Sequence, residues 1–315
     1  MKPDTNPATP GNAWAQRPER SNLFWLRIMT WISLRLGRPA GRAVLRLIAG
    51  YFLLFAPAAR RASRDYLRRV LGRPPSWRQQ FRHFLAFAAT IHDRVYLLNE
   101  RFDLFDIRIE GRELIDQAVV HGKGVFLLGA HLGSFEVLRA VGRAQPGLRV
   151  AMVMYEENAR KLNHMLAAIN PRAAQDILPL GHLDSMLRVR ERLDAGMLVG
   201  FLGDRSPGAD ARQPVEILGD TAWLPLGPLR MAAMLGRPVI FMSGLYKGGN
   251  RYDIRFQPLA DFTDVPRNAR AAAIDQALHS YAQRIESCCR EAPDNWFNFF
   301  DFWAPPAPAQ PTADQ

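Results

Sequence analysis

The sequence predicts an α/β protein: a mixed, mostly parallel sheet flanked by helices, preceded by basic amphipathic helices. Three observations carry this. From residue 106 onward, short apolar runs alternate with helical patterns, the signature of strands joined by helical crossovers. The 315-residue chain is 48% hydrophobic, ample for a large core. Its charge is also uneven: residues 1–78 hold fifteen Lys and Arg against three acids, while the whole chain carries +11, so the remainder is close to neutral.

Residues 1–21 and 304–315 are rich in Pro, Ala, Asn and Gln and read as disordered. The first twenty residues lack the apolar centre of a cleaved signal peptide. Residues 22–76 read as two or three basic amphipathic helices, broken near Pro39 and Pro57. Their arginines interleave with large apolar residues, as in Leu23-Phe-Trp-Leu-Arg-Ile-Met-Thr-Trp-Ile32 and Leu45-Arg-Leu-Ile-Ala-Gly-Tyr-Phe-Leu-Leu-Phe55. Such a pattern suits a helix lying in a lipid interface, where anionic headgroups add roughly 1 kcal/mol per basic residue. The uninterrupted apolar run from Leu47 to Ala59 has 13 residues. A spanning helix needs about 20, so peripheral or monotopic attachment is favoured over a single span. Packing of these helices on the main domain is the other reading. A pI of about 10.3 raises nucleic-acid binding, but no helix-turn-helix, zinc finger or single-strand platform is recognisable.

The main domain runs over 77–303. It opens with a helix over 77–99, whose stripe of Phe81, Phe84, Leu85, Ala88 and Ile91 reads as core. Strands are expected at Phe105–Glu110, Gly124–Ala130, Arg149–Met154, Met197–Leu202, Val239–Ser243 and Tyr252–Phe256. Helices are expected near 134–144, 158–169, 182–194 and 226–235, and a long closing helix from Ala269 to Arg290.

Chemistry concentrates just beyond two of these strands. The apolar run Val125 to Leu128 stops at Gly129-Ala130, His131 follows, and Glu136 comes five residues later in a first helical turn. Ligands of open α/β sheets bind at such strand ends. A histidine titrates near neutral pH, and a nearby carboxylate can fix its tautomer and stabilise the imidazolium. A lone His beside an acid is more often a structural pair; Gly129 and Gly133, which let backbone or substrate come close, tilt the reading toward chemistry. With no G-x-S-x-G elbow, the histidine would activate a hydroxyl of the substrate. The second strand ends in Gly203-Asp204-Arg205-Ser206-Pro207-Gly208. Arg205 suits an oxyanion, phosphate or carboxylate, and Asp204 would orient Arg205 or His131; a surface turn with a local ion pair is the alternative. Residues 215–230, with two prolines, two glycines and Trp223, read as an ordered loop leading into a helix. The only cysteines, Cys288 and Cys289, are adjacent and form no disulfide framework; no Cys/His spacing fits zinc, and His121 and His131 give no metal site.

Taken together these blocks resemble the bacterial lipid A biosynthesis lauroyl/myristoyl acyltransferases, within the glycerolipid acyltransferase superfamily. The histidine, four residues, acid motif is matched by His131-Leu-Gly-Ser-Phe-Glu136, and the later aspartate block by Gly203-Asp204-Arg205. The Phe-Gly…Gly-Pro segment is matched by Leu218-Gly219 through Gly227-Pro228, and the closing Pro-x-x-Trp by Pro293-Asp-Asn-Trp296. The likeness covers roughly 22–303, making 77–303 the acyltransferase domain and 22–76 its membrane-associating part.

The resemblance implies transfer of a fatty acyl chain from acyl carrier protein, or from acyl-CoA, to a hydroxyl of a membrane lipid or glycolipid. Its setting would be the cytoplasmic face of the inner membrane, an anionic surface, with no metal, no other cofactor and no nucleic acid. His131 would act as general base and Glu136 would orient it. Arg205, or backbone N–H groups near Gly133, would hold the oxyanion, and Asp204 would position Arg205 or the acceptor. Gly133, Ser134, Gly203, Gly227 and Pro228 would line the substrate site. Two departures matter. The family's Trp-x-His-Arg-Arg ending reads Phe297-Asn-Phe-Phe-Asp-Phe-Trp303 here, and between 155 and 172 only Arg160 and Arg172 are candidates for a conserved-type arginine. Fewer cations point to an acceptor less anionic than standard lipid A. An acyl-CoA-dependent lysophospholipid acyltransferase and a catalytically inactive membrane-binding homologue are the alternatives.

Overall fold

The computed structural model describes residues 23–120, 122–138, 148–156, 158–160, 169, 177–181, 184–205 and 210–305. Helices α1 (Leu23–Phe55), α2 (Pro57–Leu71) and α3 (Trp77–Leu98) come first. The break expected near Pro39 falls at Gly37, whose φ of 79° and ψ of 170° leave helical space. Pro39 then sits in the first turn of the restarted helix, where its missing N–H costs little. The break at Pro57 is as expected, with the proline in the first turn of α2. Ser76 and Gln79 close a reciprocal capping box that starts α3.

The expected α/β architecture is present. A seven-stranded sheet has the order β1-β9-β8-β2-β5-β3-β4. Its members are β1 (Asp106–Glu110), β2 (Phe126–Gly133), β3 (Val150–Tyr155), β4 (Ile177–Leu180), β5 (Leu198–Leu202), β8 (Pro238–Tyr246) and β9 (Arg251–Asp261). All neighbours pair parallel except β8 and β9, which are antiparallel. Alternation along β2 feeds both faces: Phe126, Leu128, Ala130 and Leu132 enter one core cluster, Val125 and Leu127 the other. The first cluster also takes Tyr66, Leu67 and Val70 from α2 and Tyr281, Ile285 and Cys289 from the closing helix α7 (Arg270–Glu291). Helices α4 (Arg112–Val120), α5 (Ser185–Asp194) and α6 (Gly227–Leu235) complete the described helices of eight residues or more.

Four strands and helices were not expected. Edge strand β4 is short and contains Pro179, which hides it from propensity. Helix α4 falls in a stretch for which no element was expected. Most of 215–230 is a hairpin rather than a loop, β6 (Arg212–Ile217) against β7 (Asp220–Pro225). Its turn residues Leu218 and Gly219 both have positive φ, 56° and 83°, as a primed two-residue turn requires. Leucine is unusual there; its side chain is buried and its N–H donates to Glu286 Oε2 at 2.7 Å. The helices expected over 134–144 and 158–169 lie partly outside the described residues, as do Arg172, His121, residues 206–208 and most of both tails.

The N-terminal helices pack on the sheet domain. Arg38 and Arg42, one turn apart on α1, both reach the buried carboxylate of Asp93 in α3, which also accepts from Tyr252 Oη of β9 at 2.8 Å. His83 of α3 bonds Ser63 of α2 and the carbonyl of Trp296, and burial lowers its pKa to about 4, so it stays neutral. The opposite side of α1 is apolar and open: Leu47 is 76% exposed, Tyr51 55%, Leu54 58% and Phe55 69%. Among the described residues no single helix is long and apolar enough to cross a membrane; the pair Gly37–Phe55 and Pro57–Leu71, bent by 95°, passes that test only together.

Candidate active site

Parallel strands lie about 4.8 Å apart, and a fixed register carries through to the residues just past their ends. Between β2 and β5 the register is Phe126 to Val199 through Gly129 to Leu202. Continued by two residues, it sets His131 opposite Asp204. Gly203 keeps the two chains joined there, its N–H donating to the carbonyl of Gly129 at 2.9 Å. The side chains meet: His131 Nδ1 lies 2.7 Å from Asp204 Oδ1, and the His131 backbone N–H donates to Asp204 Oδ2 at 3.1 Å.

Asp204 is fully buried and takes two more bonds on Oδ2, from Trp296 Nε1–H at 3.0 Å and Asn298 Nδ2–H at 2.9 Å. Burial pushes its pKa up. The His131 ring, the Arg205 charge and the Asn298 amide together outweigh that and hold the carboxyl well below the usual range. Asp204 is therefore an anion that can only accept, so Nδ1 of His131 carries the proton and Nε2 carries the lone pair. The His131 side chain keeps 24% exposure, against none for Asp204. Burial lowers the imidazole pKa below 6.5, and the Arg205 charge adds to this, with Asp204 opposing. A neutral, oriented and partly exposed imidazole can take a proton on its second ring nitrogen at neutral pH.

The family model for bacterial lipid A biosynthesis acyltransferases matches residues 10–304. The chain belongs to this family. No curated protein matches it with significant similarity.

In this acyltransferase the acid that holds the imidazole is Asp204, which corrects the expectation placed on Glu136. Glu136 is buried and pairs with Arg94 of α3, Oε1 to Nε at 3.4 Å. Strand β2 runs on to Gly133, past the expected stop at Ala130, because Leu132 bridges Trp296 and the His131 carbonyl accepts from Phe297 N–H at 2.9 Å. The following helix begins at residue 135 and Glu136 sits in its first turn, as expected, but there it meets Arg94 of α3, while the β2–β5 register brings Asp204 to the imidazole.

Gly133 has φ of +64°, and any Cβ there would collide with the carbonyl of Gly244, so its place is required by the β2–β8 approach. The Ser134 N–H donates to that carbonyl at 2.8 Å and is not available to an oxyanion. A side chain at Gly203 would strike Leu128, with Pro228 Cγ 3.5 Å from the Cβ position; Gly227-Pro228 at the start of α6 thus borders the strand end beside Asp204. Arg205 NH1 donates to Asn298 Oδ1 at 3.4 Å, and its guanidinium lies 5.9 Å from the Phe300 ring centre. Sequence reasoning missed the roles of Trp296 and Asn298. The Pro-x-x-Trp block marked the segment, but only the fold shows that it lies along residues 131–132. Among the described residues no group of His, Cys, Asp and Glu could hold a metal ion.

Proposed function

We propose that this acyltransferase moves a fatty acyl chain from a carrier-protein thioester, or from acyl-CoA, to a hydroxyl of a membrane glycolipid at the cytoplasmic face of the inner membrane. The observation that carries the chemistry is the His131–Asp204 pair, in which Nδ1 is engaged and the imidazole keeps 24% exposure. Nε2 takes the proton of the acceptor hydroxyl as that oxygen attacks the thioester carbonyl. Negative charge gathers on the carbonyl oxygen, where Arg205 supplies the positive partner, an effect of about 3–4 kcal/mol in comparable sites. The C–S bond then breaks, and the thiolate leaves with the proton held by the imidazolium. Asp204 stabilises that imidazolium without taking the proton.

Acceptor choice is read from the closing segment. Where the family pattern carries His-Arg-Arg, this chain has Asn298, Phe299 and Phe300; Phe299 stacks on His83 and Phe84 and meets Phe87 edge-on, while the neighbouring Phe297 stacks on His83. This aromatic cluster supplies no cation for an acceptor phosphate, which supports a specialised, less anionic acceptor. The test is mass spectrometry of purified enzyme with an acyl-carrier thioester and vesicles holding either neutral glycolipids or a lipid A precursor. Transfer to neutral glycolipid at the higher rate is expected. Comparable rates on the lipid A precursor would remove the acceptor proposal, and no transfer to either would remove the activity.

Attachment to the membrane is proposed through the open face of α1 with Trp77, 59% exposed, over which the Arg60 guanidinium sits at 5.7 Å. Exposed Arg46, Arg61, Arg64 and Arg68 lie on α1 and α2. Burying a Leu or Phe side chain is worth roughly 1.5–3 kcal/mol, so the pair Leu47→Glu/Phe55→Glu is expected to weaken binding to anionic vesicles at least about tenfold in a flotation assay. Unchanged flotation would place the contact elsewhere.

A further inference from the structure

Asn298 does two things at once. It is 3% exposed, its Nδ2 donates to Asp204, and its Oδ1 accepts from Arg205. Only one orientation of the amide serves both partners, because an ionised carboxylate has no donor and a guanidinium no acceptor. Asp204 and Arg205 are consecutive in the chain and opposite in charge. A guanidinium beside a buried carboxylate favours a two-pronged ion pair. Here the hydrogen bonds of Asp204 go instead to His131, Trp296 and Asn298, and Asn298 occupies the ground between the two charges. Asn298 is itself fixed on both sides: Phe297 and Phe299 stack on α3 residues, and the Phe297 N–H is tied to the His131 carbonyl.

We propose that Asn298 is a positioning residue that keeps Arg205 from closing onto Asp204, leaving the carboxylate to His131 and the guanidinium to the reacting carbonyl. The assignment of those two tasks rests on the acyl-transfer reading; the separation of the charges does not.

Two readouts keep them apart. One is the pH titration of the His131 ring by NMR in histidine-labelled protein, with its signals identified by their loss in His131→Gln. The other is steady-state transfer. In Asn298→Leu, close in shape but without polar atoms, Arg205 closes onto Asp204 and the imidazole loses part of its counter-charge. His131 is then expected to titrate at lower pH than in wild type. Expected alongside is a fall in kcat of about 10–100-fold, with KM for both substrates within about twofold. Arg205→Gln removes the competitor; because the Arg205 charge already lowers the His131 pKa in wild type, the upward move is expected to be larger when Arg205→Gln is added to Asn298→Leu than when it is made in wild type. A titration in Asn298→Leu that matches wild type, or an upward move by Arg205→Gln no larger there than in wild type, overturns the proposal. If Asn298→Leu fails to fold, Asn298→Asp serves: it keeps a partner for Arg205 but sets a second carboxylate against Asp204, so His131 should titrate higher, and an unmoved titration is equally fatal. Absence of transfer by wild type, with the titrations behaving as expected, would defeat the acyl-transfer reading and leave the positioning role standing.

Discussion

Replacing His131 by alanine is expected to reduce acyl transfer to background, a loss of about 10²–10⁴-fold, with the fold intact. The ring keeps 24% exposure, and its packing role is small beside its chemical one. Its removal leaves Asp204 with three donors on Oδ2, from His131 N–H, Trp296 and Asn298, none of which needs the imidazole. A thermal melt should therefore stay near that of wild type while transfer disappears. The same group sets the pH profile. The base must be neutral, and burial together with the Arg205 charge places its pKa below the ordinary 6.5. The neutral fraction is full above that pKa and falls as pH drops through it. The ratio kcat/KM should therefore be flat near neutrality and decline tenfold per pH unit on an acid limb whose midpoint lies below 6.5. Rate measurements from acid to neutral pH check this. An acid limb centred above 7, or wild-type transfer by His131→Ala, would remove the imidazole from the chemistry.

Much of this arrangement was readable from sequence, and the boundary of what was readable is physical. Strands β2, β5 and β8 announce themselves because strands buried on both faces are continuous apolar runs. His131 was readable because it interrupts such a run at the end where α/β sheets bind ligands. Its partner was not, since spacing along the chain favours the near acid Glu136, whereas Asp204 is brought in by a parallel register 73 residues away. No local pattern encodes that offset. The hairpin of β6 and β7 was hidden by Leu218, a residue whose positive φ is tolerated because its side chain is buried and its N–H is caught by Glu286. Asn298 was invisible for the same reason as the register: it matters only because the closing segment pairs beside residues 131–132.

The change Asp204→Asn separates the two candidate acids. Three N–H groups converge on Oδ2, from His131, Trp296 and Asn298. An asparagine at this position must turn its carbonyl oxygen toward them, because its NH₂ would meet three donors. Its NH₂ then faces Nδ1 of His131, which has to accept. The ring proton moves to Nε2, and the lone pair that would receive the acceptor's proton is lost. The expected cost in kcat is about 10³–10⁴-fold, comparable to the same exchange in a serine-protease triad and for the same tautomeric reason. NMR of the ring nitrogens reads the tautomer directly: Nδ1–H in wild type, Nε2–H in Asp204→Asn. Glu136→Gln is the matched control. Glu136 pairs with Arg94, so its loss of charge should lower stability by weakening that ion pair, and should leave the His131 tautomer as in wild type. If instead Glu136→Gln shifts the ring proton and Asp204→Asn does not, the register argument that joins β2 to β5 at this site is wrong, and Glu136 is the acid that orients the base.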